Sequence, residues 1–276
     1  MTARRLRQVR SLRLAIGFVA AVLCAACHRA ASRTLRVCAD PNNLPYSNEA
    51  KHGFENKIAD LLAGDRHATL EYTWWAQRRG FVRNTLAAGA CDIVMGVPVE
   101  FDPVRTTRPY YTSTYVFATR QDRRMHLGSL DDPRLKSLRI GVQMIGDDFT
   151  NTPPAHALSD RGMVRNVVGY SVFGDYAKPN PLANIMEAVD RGEVDTAVVW
   201  GPPAGYFARH ASHPIEITPI TPRLDGPSRP FVFSIAMGVR RGDAALASEL
   251  DDFIARRKPD IDRILEQYGV PRVEGH

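Results

Sequence analysis

Two successive βα series predict a two-lobed α/β protein, each lobe a mainly parallel sheet covered by helices. Three observations carry that expectation. A β-α-β-α-β order opens at Leu35 and a second series starts at Leu138; strands separated by helical patterns pair in parallel. A long apolar strand, Phe231 to Val239, then precedes two more helical stretches, as in a chain returning to its first lobe. About 250 residues follow the leading segment, enough for two lobes of about 100 residues, each with its own core.

The leading segment predicts export. Arg4, Arg5, Arg7, Arg10 and Arg13 form a positive start with no acid. Leu14 to Ala26 is an uncharged run of 13 residues, shorter than the ~20 a bilayer span needs and suited to a signal peptide over residues 1–26. Leu23-Cys24-Ala25-Ala26-Cys27 resembles a lipoprotein box with Cys27 as the lipidated residue. Cleavage after Ala26 or a nearby alanine is the alternative, and such an anchor is the one membrane contact expected. The chain's formal charge is +6. Five of those charges sit in the segment that would be removed, leaving about +1, so the basic composition gives no support to nucleic-acid binding.

The elements follow in order. Leu35 to Asp40 reads as a short strand, and Pro41 to Asn48 as a Pro- and Asn-rich loop. Phe54, Ile58, Leu61 and Leu62 have helical spacing. Thr69 to Trp75 is rich in strand formers. Phe81, Val82, Leu86 and Ala87 mark a second helix closed by Gly89, and Asp92 to Gly96 and Tyr115 to Thr119 are apolar strands. The second series runs through strands at Leu138–Val142 and Val164–Tyr170, a helix at Leu182–Arg191 and a strand at Asp195–Trp200. Helices are expected at Ala244–Arg256 and Pro259–Tyr268. This order places one lobe at 33–118 plus 235–276 and the other at 119–234. Cys38 and Cys91 fall in strands that a parallel sheet could make neighbours. A disulfide is favoured over two buried thiols in an oxidising compartment, and it would contribute roughly 2–4 kcal/mol.

Four runs, in this order, resemble the family 3 extracellular solute-binding proteins: LRVCADPNNLPYSN, GFENKIADLLA, GACDIVMGVPVEFDPVRTTRPYY and GEVDTAVVWGPPAGYFA; a further run, TWWAQRRGFVRNTL, lies between the second and third. The wording of several, above all the two adjacent Trp and three Arg of TWWAQRRGFVRNTL, resembles the MoxJ/XoxJ-type branch, associated with quinoprotein dehydrogenases. The likeness spans Arg33 to Tyr268. It implies a type II periplasmic-binding-protein-like fold with a cleft between the lobes.

Amino-acid receptors of that fold hold the ligand with three contacts, and the resemblance locates each. Arg105 matches the arginine that grips the α-carboxylate; pairing with Glu100 or Asp102 is the structural alternative. Where a Thr or Ser at a helix N-terminus would donate to the same carboxylate, this chain has Asp147-Asp148. These fit the helix dipole but repel an anion. Where an acid would hold the ammonium, it has Trp200. Two of three contacts have therefore changed, and the cleft is expected to be aromatic and apolar, walled by Leu44, Tyr46, Trp74, Trp75, Tyr110, Tyr111 and Trp200. Trp74 and Trp75 are adjacent on a strand and point to opposite faces, so one is expected in the core and one at a surface. Arg78, Arg79 and Arg83 form either a solvated cluster or a docking patch for an acidic partner.

No nucleophile elbow, HExxH or P-loop is present in the sequence, and the histidines lack metal-ligand spacing. The expectation is a non-catalytic protein with no cofactor and no metal. The resemblance implies a periplasmic accessory protein that binds and helps activate or mature a PQQ-dependent methanol or alcohol dehydrogenase, with a peptide or small molecule in the cleft. A transport receptor delivering a small solute other than a standard amino acid is the alternative, and a receptor for PQQ itself is a weaker third.

Overall fold

The computed structural model describes residues 33–146, 151–173 and 176–274. The leader at 1–26, Cys27, Asp147 and Asp148 lie outside the described residues. Among the described residues no helix is long and apolar enough to cross a membrane.

The first half is built from β1 (Arg33–Ala39), the short hairpin β2 (Asn42–Asn43) and β3 (Ser47–Asn48), α1 (Phe54–Asp65), β4 (Ala68–Trp74), α2 (Phe81–Asn84) and β5 (Ile93–Pro98). The chain then crosses on one 16-residue strand, β6 (Arg105–Arg120). Beyond it come β7 (Ile140–Met144), α3 (Pro153–Asp160), β8 (Val167–Ser171), α4 (Asn184–Asp190), β9 (Thr196–Trp200), α5 (Gly201–Ala208) and β10 (Ile215–Pro219). A small hairpin, β11 (Leu224–Asp225) and β12 (Arg229–Pro230), leads into β13 (Val232–Val239), which returns the chain to α6 (Ala244–Gln267).

The main sheet has the order β4-β1-β5-β13-β6-β9-β7-β8, with β10 also on β6. β4, β1 and β5 are parallel to one another, and so are β9, β7 and β8. The crossing strands β6 and β13 are antiparallel to their neighbours. Each half is therefore a parallel trio completed by the crossings, which is the two-lobed α/β fold expected.

The core changes hands along both crossings. Tyr110 and Tyr111 of β6 pack with Phe54, Ile58, Leu250 and Phe253, whereas Phe117 packs with Ile140, Val142 and Leu158. Phe231 belongs to the second cluster, and Phe233 packs on the first.

Three elements differ from expectation. The helix expected from Phe81 to Ala87 is one turn, because Thr85 leaves helical backbone at φ −119°, ψ −80°. The two C-terminal helices are one helix containing Pro259. Pro259 and Ala255 are exposed, so the carbonyl freed four residues before the proline faces water. Phe253, Ile254, Ile261 and Leu265 hold both halves of that helix to one core. The strand expected from Tyr115 to Thr119 begins ten residues earlier, at Arg105.

The Cys38–Cys91 disulfide is present, with Cα atoms 5.5 Å apart. Parallel pairing brings it about, since Cys38 of β1 lies beside Val94 of β5.

A candidate ligand cleft lined by aromatic rings and two acids

A cavity of about 390 Å³ lies between the halves, at the low end of the ~300–1,000 Å³ usual for small-ligand sites. It opens past the carboxyl ends of the parallel strands, where open α/β sheets place their ligands. Asp40 follows β1, Gly96 to Pro98 end β5, and Trp200 ends β9. Tyr111 and Tyr115 enter from β6 and Phe233 from β13. Phe173 and Tyr176 follow β8, and Gln143 comes from β7.

Trp200 is held from both sides. Its backbone N–H donates to Gln143 Oε1 at 3.0 Å, and Gln143's own carbonyl accepts from Thr152 Oγ1 at 2.6 Å. Its ring meets Tyr115 at 5.2 Å and Phe233 at 5.8 Å, both edge-on, an arrangement that aromatic quadrupoles favour. The Gly201 that follows is required by packing, since a Cβ there would stand 2.6 Å from Ser113 Oγ and 2.7 Å from the Thr114 carbonyl.

Two carboxyls face the rings. Asp40 is buried and accepts from the backbone of Asn42 at 2.8 Å, from the backbone of Gln77 at 2.6 Å and from the Tyr176 hydroxyl. Glu55, in the first turn of α1, keeps its remaining surface toward the cavity and accepts no hydrogen bond among the described residues. Its Oε1 lies over Gly96, where a Cβ would be only 2.3 Å away. Burial, with the Asp40 charge added, pushes its carboxyl up to about 8. Burial also pushes the phenols of Tyr46, Tyr111 and Tyr115 upward, so all three stay neutral.

The rim is fastened across the cleft. Tyr176 reaches Asp40, and the Arg78 guanidinium carbon stands 4.4 Å from the Tyr176 ring centre. Asn42 Nδ2 donates to the Lys178 carbonyl at 2.9 Å, and the Asn180 N–H donates to Asn42 Oδ1 at 3.2 Å.

Of the residues expected at the cleft, the structure brings Tyr46, Tyr111 and Trp200 into its lining and Arg78 to its rim. Leu44 and Tyr110 are buried and outside the lining, with Tyr110 in the first core. Trp74 is half-buried on the edge strand, stacked on Tyr72 at 4.6 Å, and Trp75 is 47% exposed. Neither lines the cavity, and neither is the core residue expected of the pair. Arg105 departs furthest. It sits at the other end of β6, outside the cleft, and its Nε donates to the Arg241 carbonyl at 3.0 Å. Asp40, Glu55, Tyr115, Gln143, Tyr176 and Phe233 were missed. The pattern GFENKIADLLA gave no hint that Glu55 turns inward, because an acid in a first helical turn is ordinarily explained by the helix dipole.

No family model matches the chain. Full-length relatives do. The protein MoxJ of Methylorubrum extorquens is 33% identical over 250 residues, 86% of this chain and 81% of that protein. MoxJ of Paracoccus denitrificans is 31% identical over 252 residues, 86% of this chain and 88% of that one. The chain belongs to the MoxJ family. Among solved structures, the periplasmic binding protein XoxJ from Methylobacterium extorquens AM1 superposes with a TM-score of 0.72 at 33% identity, covering 88% of this chain and all of that one. MxaJ from Methlophaga aminisulfidivorans MPT gives 0.76 at 26% identity, covering 87% and 100%. An ancestral cationic amino-acid binding protein, at 22% identity and a TM-score of 0.66, shares the fold. This MoxJ-family chain thus has the type II periplasmic-binding-protein fold with an aromatic, acidic cleft.

Proposed function

We propose that this chain is a non-catalytic periplasmic accessory protein that binds and helps activate or mature a PQQ-dependent methanol or alcohol dehydrogenase. One observation supports this reading most. Among its described residues the cavity of this MoxJ-family chain has seven aromatic rings, two acids and no basic side chain. An α-carboxylate would find no cation there, which sets the cleft apart from that of an amino-acid receptor. Docking is assigned to the groove beside the cleft, where Arg78, Arg79 and Arg83 surround an apolar floor of Phe81, Val94 and Val97. Its occupant would be an acidic segment of the dehydrogenase, because arginine forks pair with carboxylates. We place the lobe boundaries at 118/119 and 234/235. Deleting the gene should leave the dehydrogenase made at a normal level and poorly active, with affinity capture from periplasm recovering it. A deletion strain with full dehydrogenase activity would refute the reading.

A cavity of small-ligand size between the halves favours one second reading, a receptor for a small solute other than a standard amino acid. Capture of a permease in place of a dehydrogenase would select it.

A further inference from the structure

We propose that the cleft takes a ligand bearing an alkylammonium cation and no carboxylate, with Glu55 as the group that meets the cation. The inference deepens the reading above and rests on it in one respect, that the cavity is a binding site.

Glu55 carries the argument. Its carboxyl faces the cavity and accepts no hydrogen bond among the described residues. Gly96 leaves the space that Oε1 occupies, so the backbone of β5 is shaped to admit this acid. Burying an unpaired charge is costly, and the free protein avoids that by keeping the proton up to about pH 8. The groups facing Glu55 are Asp40 after β1, Tyr46 in the following loop, Tyr72 on β4, and Tyr110 and Tyr111 on β6. They are one acid and four phenols. The cation at the rim, Arg78, is engaged with the Tyr176 ring.

The opposite wall supplies aromatic surface. Tyr115, Trp200 and Phe233 form one edge-to-face cluster lining the cavity. Aromatic faces attract ammonium groups, most strongly when both are desolvated. A zwitterion's carboxylate would meet neither a base nor the Trp200 N–H, which Gln143 already occupies. A plain or methylated alkylammonium brings no such anion.

Binding would then release a proton. The neutral Glu55 carboxyl and the incoming cation become a carboxylate–ammonium pair, and the proton leaves to solvent. Affinity should therefore rise with pH through about 8. The cation could come as a free small alkylammonium or as a lysine side chain on a partner segment.

The test is calorimetry on the purified periplasmic protein with choline, its neutral isostere 3,3-dimethylbutan-1-ol, and Nα-acetyl-lysine methylamide. At least one of the two cations should bind, about tenfold or more tightly at pH 9 than at pH 6.5, and the isostere should bind far less well. At pH 6.5 the heats in buffers of different ionisation enthalpy should show about one proton released per cation. Preference for choline identifies a free solute, and preference for the lysine derivative identifies a protein segment. Glu55→Gln should abolish the pH dependence and the proton release while the protein melts cooperatively. Trp200→Phe, which keeps a ring in place, should weaken cation binding and leave the proton release intact. Absence of cation binding at pH 9, equal binding of the isostere, or a Glu55→Gln variant that binds as before would overturn the inference. A deletion strain with normal dehydrogenase activity alongside pH-linked cation binding would instead remove the accessory role and leave this site standing.

Discussion

The cleft cavity and the arginine groove share a wall and carry opposite charge. Gln77, Gly96, Val97 and Pro98 border both. On the cleft side stand Asp40, Glu55 and seven aromatic rings. On the groove side stand Arg78, Arg79 and Arg83 around Phe81, Val82 and Phe101. One strand end, β5, thus separates a desolvated acidic chamber from an exposed basic face. Charges at an exposed face chiefly govern encounter and are screened by salt. A charge set among buried groups of the cleft governs which ligand is held, because the low dielectric strengthens every contact there. The difference suggests a division of labour, with partner capture outside and ligand choice inside.

The shared wall rests on the disulfide, so breaking that bond should affect both regions at once. Cys38 and Cys91 pack with Phe81, Leu86, Val94 and Val97. Replacing both cysteines by serine should cost about 2–4 kcal/mol, read as a lower melting temperature, and should weaken cation binding and partner capture together. A double variant that melts like the parent would show the wall to be held by packing alone.

The parts of this picture that were legible in the sequence are those set by periodicity. The βα series, the return strand at Phe231–Val239 and the pairing of Cys38 with Cys91 follow from strand order, and strand order is written in the apolar runs. The cleft was legible only in part. Trp200 and Tyr46 could be placed because they sit at strand ends or in the loop after one. Arg105 could not, because strand length decides its position. β6 begins at Arg105 and does not reach the cavity until Tyr111, about 20 Å further on at ~3.3 Å per residue. Glu55 was hidden for a different reason. Its role depends on Gly96, some forty residues away on another strand, and no local pattern joins the two. Tyr176 and Asp40 likewise meet only because the two halves close on each other.

A smaller effect is expected on the groove side. Changing Arg78, Arg79 and Arg83 together to alanine should weaken capture of the dehydrogenase by roughly tenfold at low ionic strength, chiefly through slower association. The deficit should shrink as salt is added. Cation binding in the cavity should change little, because Arg78 lies at the rim and Arg79 and Arg83 do not line the chamber. A triple variant that captures its partner normally would return these arginines to an ordinary solvated cluster.

A pH-dependent shift in melting temperature isolates the chamber. The Glu55 carboxyl titrates at about 8 in the folded chain and near 4.3 when unfolded. Between those values the folded state keeps a proton that the unfolded state has released. Stability from this group is therefore complete below about pH 4.3 and is lost as pH rises through 8. Glu55→Gln stays neutral throughout and escapes that loss, while every other titrating group is common to both proteins. The melting temperature of the parent should consequently fall relative to the variant from pH 5 to pH 9. The gap should close again when a saturating cation supplies the carboxylate's missing partner. Parallel melting curves across that range would mean that water already solvates Glu55. The chamber would then lack the low dielectric that distinguishes it from the groove.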